Sequence, residues 1–169
     1  MNKLITTAKE YAIKCHKDTN HIYDKWPYEY HLRRVYDYAI KYIHLIPEKD
    51  KDLVLASCWT HDLIEDCRQT YNDIKEKCGE KIADITYALT NEKGKTRYER
   101  ANEKYYEGIR STPRAVFVKI CDRLSNVSYS KLNNSSMLKV YKKQHNHFTR
   151  ELYCEYFDDM FKELEELLK

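Results

Sequence analysis

The sequence predicts an all-α protein. Three observations carry this: only 3 Gly and 3 Pro occur in 169 residues, apolar residues recur at spacings of three and four, and no stretch sustains the alternation of a strand. Helices need fewest of those two residues, and the three/four spacing is the helical period. The length suits one domain over residues 1–169 and would bury roughly 68–70% of the unfolded surface. No Pro/Gly/Ser-rich linker divides the chain.

The elements follow in order. Leu4, Ile5, Ala8, Ala12 and Cys15 form a helical stripe over residues 3–17, and a polar break runs to Pro27. Leu32, Val35, Ala39 and Ile43 place a second helix over about 28–45, ended by Pro47. Residues 49–67 read as one nearly continuous apolar helix, hence a central one. Thr70 and Asp73 have the spacing of a capping box, starting a helix that stops at Gly79. A further helix carries Ile82, Ala83 and Ile85, and 91–96 is a loop. A polar helix over about 97–110 is expected next. Thr112 and Pro113 then look like the N-cap and first residue of a helix with Phe117, Ile120, Cys121, Leu124 and Val127 inside. Helix resumes after Asn133-Asn134, and 149–168 is amphipathic through Leu152, Tyr156, Met160, Phe161, Leu164 and Leu167.

Charge is nearly balanced, with 30 basic and 27 acidic residues, which argues against a dedicated nucleic-acid binder. The basic stretch 139–150, KVYKKQHNHFTR, reads as a solvated helix face with at most a modest attraction for phosphate. His145 and His147 are two apart and do not share a helical face, so they are not taken as ligands. The start, MNKLITTAKEYAIK, lacks the apolar core of a signal peptide, and no run approaches 18 apolar residues. The 6 Cys form no CxxC and mostly sit in apolar patterns, as structural thiols in a reducing compartment do. A cytoplasmic location without membrane contact is expected; oligomeric state is left open.

The chemistry concentrates in WTHDLIEDC. On a continuous helix His61 and Glu65 share a face, as do Asp62 and Asp66. Burying so many ionisable groups requires partners, and imidazole with carboxylate suits a divalent transition metal. The alternative is a solvated acidic face. His31, in the first turn of the second helix, reads on its own as a packing or surface residue. Asp122 lies between apolar neighbours and needs a partner, which Lys119, Arg123 or a metal could supply. Lys119, Asp122 and Asn126 are spaced to share one face.

Three segments in order resemble the HD superfamily of metal-dependent phosphohydrolases, and within it the hydrolase domain of RelA/SpoT homologues, including the small stand-alone members. They are Pro27-Tyr28-Glu29-Tyr30-His31, then His61-Asp62-Leu63-Ile64-Glu65-Asp66, then Cys121-Asp122-Arg123-Leu124-Ser125-Asn126. The resemblance implies an HD-type helical bundle with a metal site between helices. It implies one metal, usually Mn²⁺, on His31, His61, Asp62 and Asp122, with Glu65 and Asp66 activating water. It implies Asn126 at the ribose or phosphate region of a small nucleotide; Lys119 and Tyr28 join it as binding candidates. The implied activity is removal of the 3′-pyrophosphate from guanosine 3′,5′-bis(diphosphate).

The chain departs from the family where the base is held. The Arg usually found before Pro-Tyr-x-x-His is missing from Asn20-His21-Ile22-Tyr23; Trp26 stands where a Gly is usual, and Leu32 where a Pro is. Tyr23, Trp26 or Tyr28 would then stack the base. The competing readings are an HD phosphohydrolase of nucleoside mono- or triphosphates, and a nucleotide-binding module without catalysis. Completeness of the ligand set argues against the latter.

Overall fold

A computed structural model describes residues 2–169 and is almost wholly helical. The helices are α1 (Lys3–Asp18), α2 (Glu29–Lys41), α3 (Lys51–Thr60), α4 (Leu63–Asp66), α5 (Tyr71–Cys78), α6 (Glu80–Leu89), α7 (Arg97–Arg100), α8 (Glu103–Ser111), α9 (Ala115–Leu132), α10 (Met137–Leu152) and α11 (Asp158–Leu168). No helix among the described residues is long and apolar enough to cross a membrane.

The bundle is organised around α3 and α9. Helix α3 packs on α1, α2, α6 and α9, and every residue from Val54 to Thr60 is buried, as its unbroken apolar run predicts. Its hydroxyls are satisfied internally: Ser57 donates to the Leu53 carbonyl at 2.8 Å, and Thr60 and Thr86 share a hydrogen bond of 2.8 Å. Helix α9 packs on α2, α3, α6, α8, α10 and α11 through the predicted stripe, Phe117, Ile120, Cys121, Leu124 and Val127. The Thr70 capping box forms, and Gly79 takes φ +93° between α5 and α6. Five of the six cysteines are buried free thiols; Cys154 is exposed.

Six boundaries differ from the sequence pattern, each for a local reason. The polar break holds a two-residue antiparallel ladder, β1 (Ile22–Tyr23) with β2 (Trp26–Pro27), too short to show alternation. Helix α2 ends at Lys41 in a short 3-10 turn, because Pro47 drives Ile46 into extended backbone. The 49–67 segment is interrupted at Asp62 (φ −102°, ψ 2°). The 97–110 segment breaks at Ala101; Asn102 then caps α8, accepting from the Tyr105 amide at 3.1 Å, and this helix buries Tyr105, Tyr106 and Ile109. Thr112 closes α8 instead of opening α9. Arg114 takes φ +71° with its guanidinium on Asp50 at 2.8 Å, so α9 starts at Ala115. The 149–168 segment breaks at Tyr153 and Cys154, both extended; α11 folds back on α9, and Tyr156 is left exposed, outside the apolar stripe.

The hairpin covers His16 at the end of α1. Tyr28 stacks on both His16 and His21, at ring separations of 4.2 and 4.0 Å, and the two imidazole Nδ1 atoms lie 3.0 Å apart.

Two predictions concern stability. Phe117→Ala, at a fully buried site, should cost roughly 3–5 kcal/mol in denaturant unfolding, and Thr70→Ala about 1 kcal/mol. Burial lowers the His16 pKa from 6.5 to about 3. The unfolded chain takes up this proton as pH falls through 6.5 while the folded chain does not, so His16's contribution is full above pH 6.5 and is lost toward pH 3. At about 1.36 kcal/mol per unit, acidification to about pH 5 should cost the wild type roughly 2 kcal/mol more than His16→Phe. Equal losses in both proteins would contradict neutral burial.

Candidate metal centre

Three helical segments deliver four groups to one point. The hairpin turns the chain so that His31 falls in the first turn of α2, and α9 brings Asp122 to face it: Nε2 to Oδ1 is 3.3 Å. His61 ends α3. On a regular helix, sequence neighbours point about 100° apart, so His61 and Asp62 could not meet if α3 continued. The departure of Asp62 from helical backbone brings its Oδ2 to 2.9 Å from His61 Nε2 and 3.6 Å from His31 Nε2. His61 Nε2 lies 3.8 Å from Asp122 Oδ1.

Three of these residues, His31, His61 and Asp122, are grouped closely enough to hold a metal ion. Ligands bonded at about 2.1 Å stand about 3.0–3.4 Å apart when adjacent and about 4.2 Å when opposed. One ligand atom each from His31, His61 and Asp122 lies within 4.8 Å of the others, and all three residues are buried. His61 Nδ1 is engaged by the Cys58 carbonyl at 3.0 Å and His31 Nδ1 by Ser125 Oγ at 3.4 Å, which turns both Nε2 atoms to the cluster. Despite its nearness to Asp62, His61 Nε2 is buried without an aligned hydrogen-bond partner. Imidazole nitrogens and carboxylates are the donor set of a divalent transition metal.

The electrostatics agree. Burial alone would lower the His61 pKa, but Asp62 and Asp122 outweigh it and raise it to about 9. Burial would raise Asp122, but the Lys119 ammonium, 2.9 Å from its Oδ2, holds it well below the usual carboxylate range. Asp62 is likewise held low by His61 against its own burial. Of the partners open to Asp122, Lys119 takes one oxygen while the histidines face the other; Arg123 instead donates to Gln144 at 3.2 Å and lies over the Phe148 ring.

Neighbours fix the carboxylates. Tyr28 donates to Asp62 Oδ2 at 2.5 Å, and Asn126 Nδ2 donates to Asp122 Oδ1 at 2.6 Å. Tyr23 in turn donates to Asn126 Oδ1 at 2.8 Å and stacks on His31 at 4.8 Å. Tyr28 is buried and does not line the cleft above the cluster, so it positions Asp62 from behind. Glu65 reaches the cleft, its carboxylate held by the Asn91 side chain at 2.8 and 2.9 Å. Asp66 lies off the cleft lining, 3.8 Å from His21, and burial with the charges of Asp62 and Glu65 raises its pKa to about 7.

His31, Asp62 and Asp122 line a cleft of about 1090 Å³, with His61 buried behind them. Arg97 and Arg100 of α7, Arg123 of α9, and Lys143 and Arg150 of α10 also line it. These cations were outside the sequence-derived set. The 139–150 stretch is a cleft wall, not only a solvated face; its interleaved bases and aromatics were the available signal. His147 lines this wall while His145 does not, and neither joins the cluster. Of the three aromatics considered for stacking, Tyr23 lines the cleft; Trp26 and Tyr28 do not.

No protein-family model matches the chain. A guanosine-3′,5′-bis(diphosphate) 3′-pyrophosphohydrolase of Aquifex aeolicus is 37% identical over 82 residues, covering 46% of this chain and 12% of that protein. The corresponding pyrophosphohydrolase MESH1 of Drosophila melanogaster is 25% identical over 80 residues, 47% of this chain and 45% of that one. Each match thus spans less than half of the relative. A solved structure described as a metazoan ortholog of SpoT that hydrolyzes ppGpp superposes with TM-score 0.73 at 18% identity, covering 99% of this chain and 94% of that one. The chain is similar in sequence to ppGpp 3′-pyrophosphohydrolases, and its fold is the all-helical HD-type fold of that SpoT ortholog.

Proposed function

We propose that this chain is a metal-dependent hydrolase that removes the 3′-pyrophosphate of guanosine 3′,5′-bis(diphosphate). The observation that carries the proposal is the convergence of His31, His61, Asp62 and Asp122 at a cleft that Arg97, Arg100, Arg123, Lys143 and Arg150 also line. The names of the two sequence relatives supply the reaction.

His31, His61, Asp62 and Asp122 would hold one ion, Mn²⁺ in this reading. Such an ion polarises a phosphate oxygen and lowers the pKa of bound water. The residues divide the remaining work. Glu65, clamped by Asn91 at the edge of the cleft, orients the attacking water and accepts its proton. Asp66, beside it, shares that proton. Lys119 neutralises one oxygen of Asp122, and Asn126, which keeps the other oriented and lines the cleft, would contact the ribose or phosphate region of the nucleotide. Tyr28 fixes the Asp62 carboxylate. Arg97, Arg100, Lys143 and Arg150 attract the phosphates not being cleaved.

Changing His61 or Asp122 to Ala should abolish metal occupancy and activity together, measured by elemental analysis and pyrophosphate release. Glu65→Gln and Asp66→Asn should keep the metal while kcat falls roughly 10²–10⁴-fold, with KM little changed. Full activity in both would remove the proposed roles. Loss of metal in either would move that residue among the ligands.

Tyr28→Phe should lower metal affinity roughly 10–100-fold in a competitive chelator titration, the usual consequence of losing a hydrogen bond to a ligating carboxylate. Unchanged affinity would reduce Tyr28 to packing.

A further inference from the structure

One carboxylate in the cleft lining stands apart from the metal cluster. Asp24 sits at the tip of the β1–β2 hairpin, on the same cleft as Asp62, Glu65 and Asp122. It adopts φ +55°, a left-handed backbone that Asp tolerates, and its side chain is exposed. Tyr129 of α9 donates to Asp24 Oδ2 at 2.6 Å. Among the described residues Oδ1 accepts no side-chain hydrogen bond. Tyr129 is held against Tyr23 edge-to-face at 4.9 Å, and Tyr23 stacks on His31, so the position of Asp24 is tied to the metal cluster through two rings.

A carboxylate is a poor neighbour for phosphates. The other carboxylates of the lining, Asp62, Glu65 and Asp122, belong to the cluster and its edge, and Arg97, Arg100, Lys143 and Arg150 are there for the phosphates; a carboxylate outside both sets suits a part of the substrate that carries donors and no negative charge. Distance points the same way. Tyr129 lies seven residues beyond Asp122 on α9, about 10 Å at the helical rise. That is of the order of the span from a 3′-phosphate to the far edge of its base. Asn126, between them, faces the same cleft.

We propose that Asp24 is the base-reading residue of this site: its carboxylate, oriented by the Tyr129 hydroxyl, accepts hydrogen bonds from N1–H and the N2 amino group of guanine. Adenine presents an acceptor at N1 and no amino group at C2, so the same carboxylate repels it. Hypoxanthine keeps N1–H and loses the amino group, which makes it the discriminating probe. This inference rests on the proposed hydrolase reading, whose substrate it specifies.

The test compares guanosine, inosine and adenosine 5′-diphosphate 3′-diphosphates with the wild type and with Asp24→Gly. Glycine keeps the left-handed turn without strain while removing the carboxylate. In the wild type, kcat/KM should fall roughly 10–100-fold from guanosine to inosine, the scale of a paired base contact, and further for adenosine. In Asp24→Gly the guanosine value should drop to the inosine value, with the inosine value changing less. Equal guanosine and inosine values in the wild type, or an unchanged ratio in Asp24→Gly, would overturn the proposal and leave Asp24 as a turn residue. Hydrolysis of none of the three would contradict the hydrolase reading instead. Calorimetric binding of the same nucleotides then decides the base contact alone: a guanosine preference abolished by Asp24→Gly supports it, and its absence, or no binding at all, overturns it.

Discussion

Two carboxylates and two imidazoles meet in the interior between α2, the α3–α4 break and α9, and the rest of the structure answers to the cost of keeping them there. An isolated buried carboxylate costs several kcal/mol after relaxation. Here Lys119 offsets one charge, and Tyr28 and Asn126 each donate a hydrogen bond. The same two carboxylate oxygens also face the Nε2 atoms of His31 and His61, and His61 Nε2 has no aligned hydrogen-bond partner. In the proposed reading, a divalent cation shared by these residues takes the place of a titrating proton.

The surrounding fold can be understood as support for this point. The apolar α3 and α9 provide a rigid interior on which His61 and Asp122 are mounted. The hairpin, with its His16–Tyr28–His21 stack, fixes the entry to α2 and hence His31. Helix α7 contributes Arg97 and Arg100 to the lining of the cleft, α8 contributes Tyr105 and Tyr106, and α10 contributes Lys143 and Arg150. The cleft-lining cations and the His/Asp cluster thus come from different parts of the chain, with Asp122, Arg123 and Asn126 together on α9.

Much of this was legible before the structure. Apolar stripes place α1 and α9 because burial of one face leaves a 3.6-residue period in the sequence, and an unbroken apolar run places α3 because it is buried on all sides. The ligand candidates were legible because ionisable groups stood among apolar neighbours, and their order along the chain resembled that of a known superfamily. What stayed hidden depends on tertiary contacts. The break at Asp62 leaves no propensity signal; it exists because two adjacent side chains turn to one site. Arg114 delays the start of α9 through a distant partner, Asp50. Tyr28, read as a stacking surface, lies beneath the site because two histidines cover it. Asp24 and the wall cations draw meaning only from the cleft they share.

The central claim is that two histidines and two aspartates bind one divalent ion. Pulsed electron paramagnetic resonance of the metal-stripped chain titrated with Mn²⁺ tests it most directly. The account predicts one tightly bound ion per chain, coupled to two imidazole nitrogens, with one coupling lost in His31→Ala. Binding without imidazole coupling, or coupling unaffected by that substitution, would contradict it.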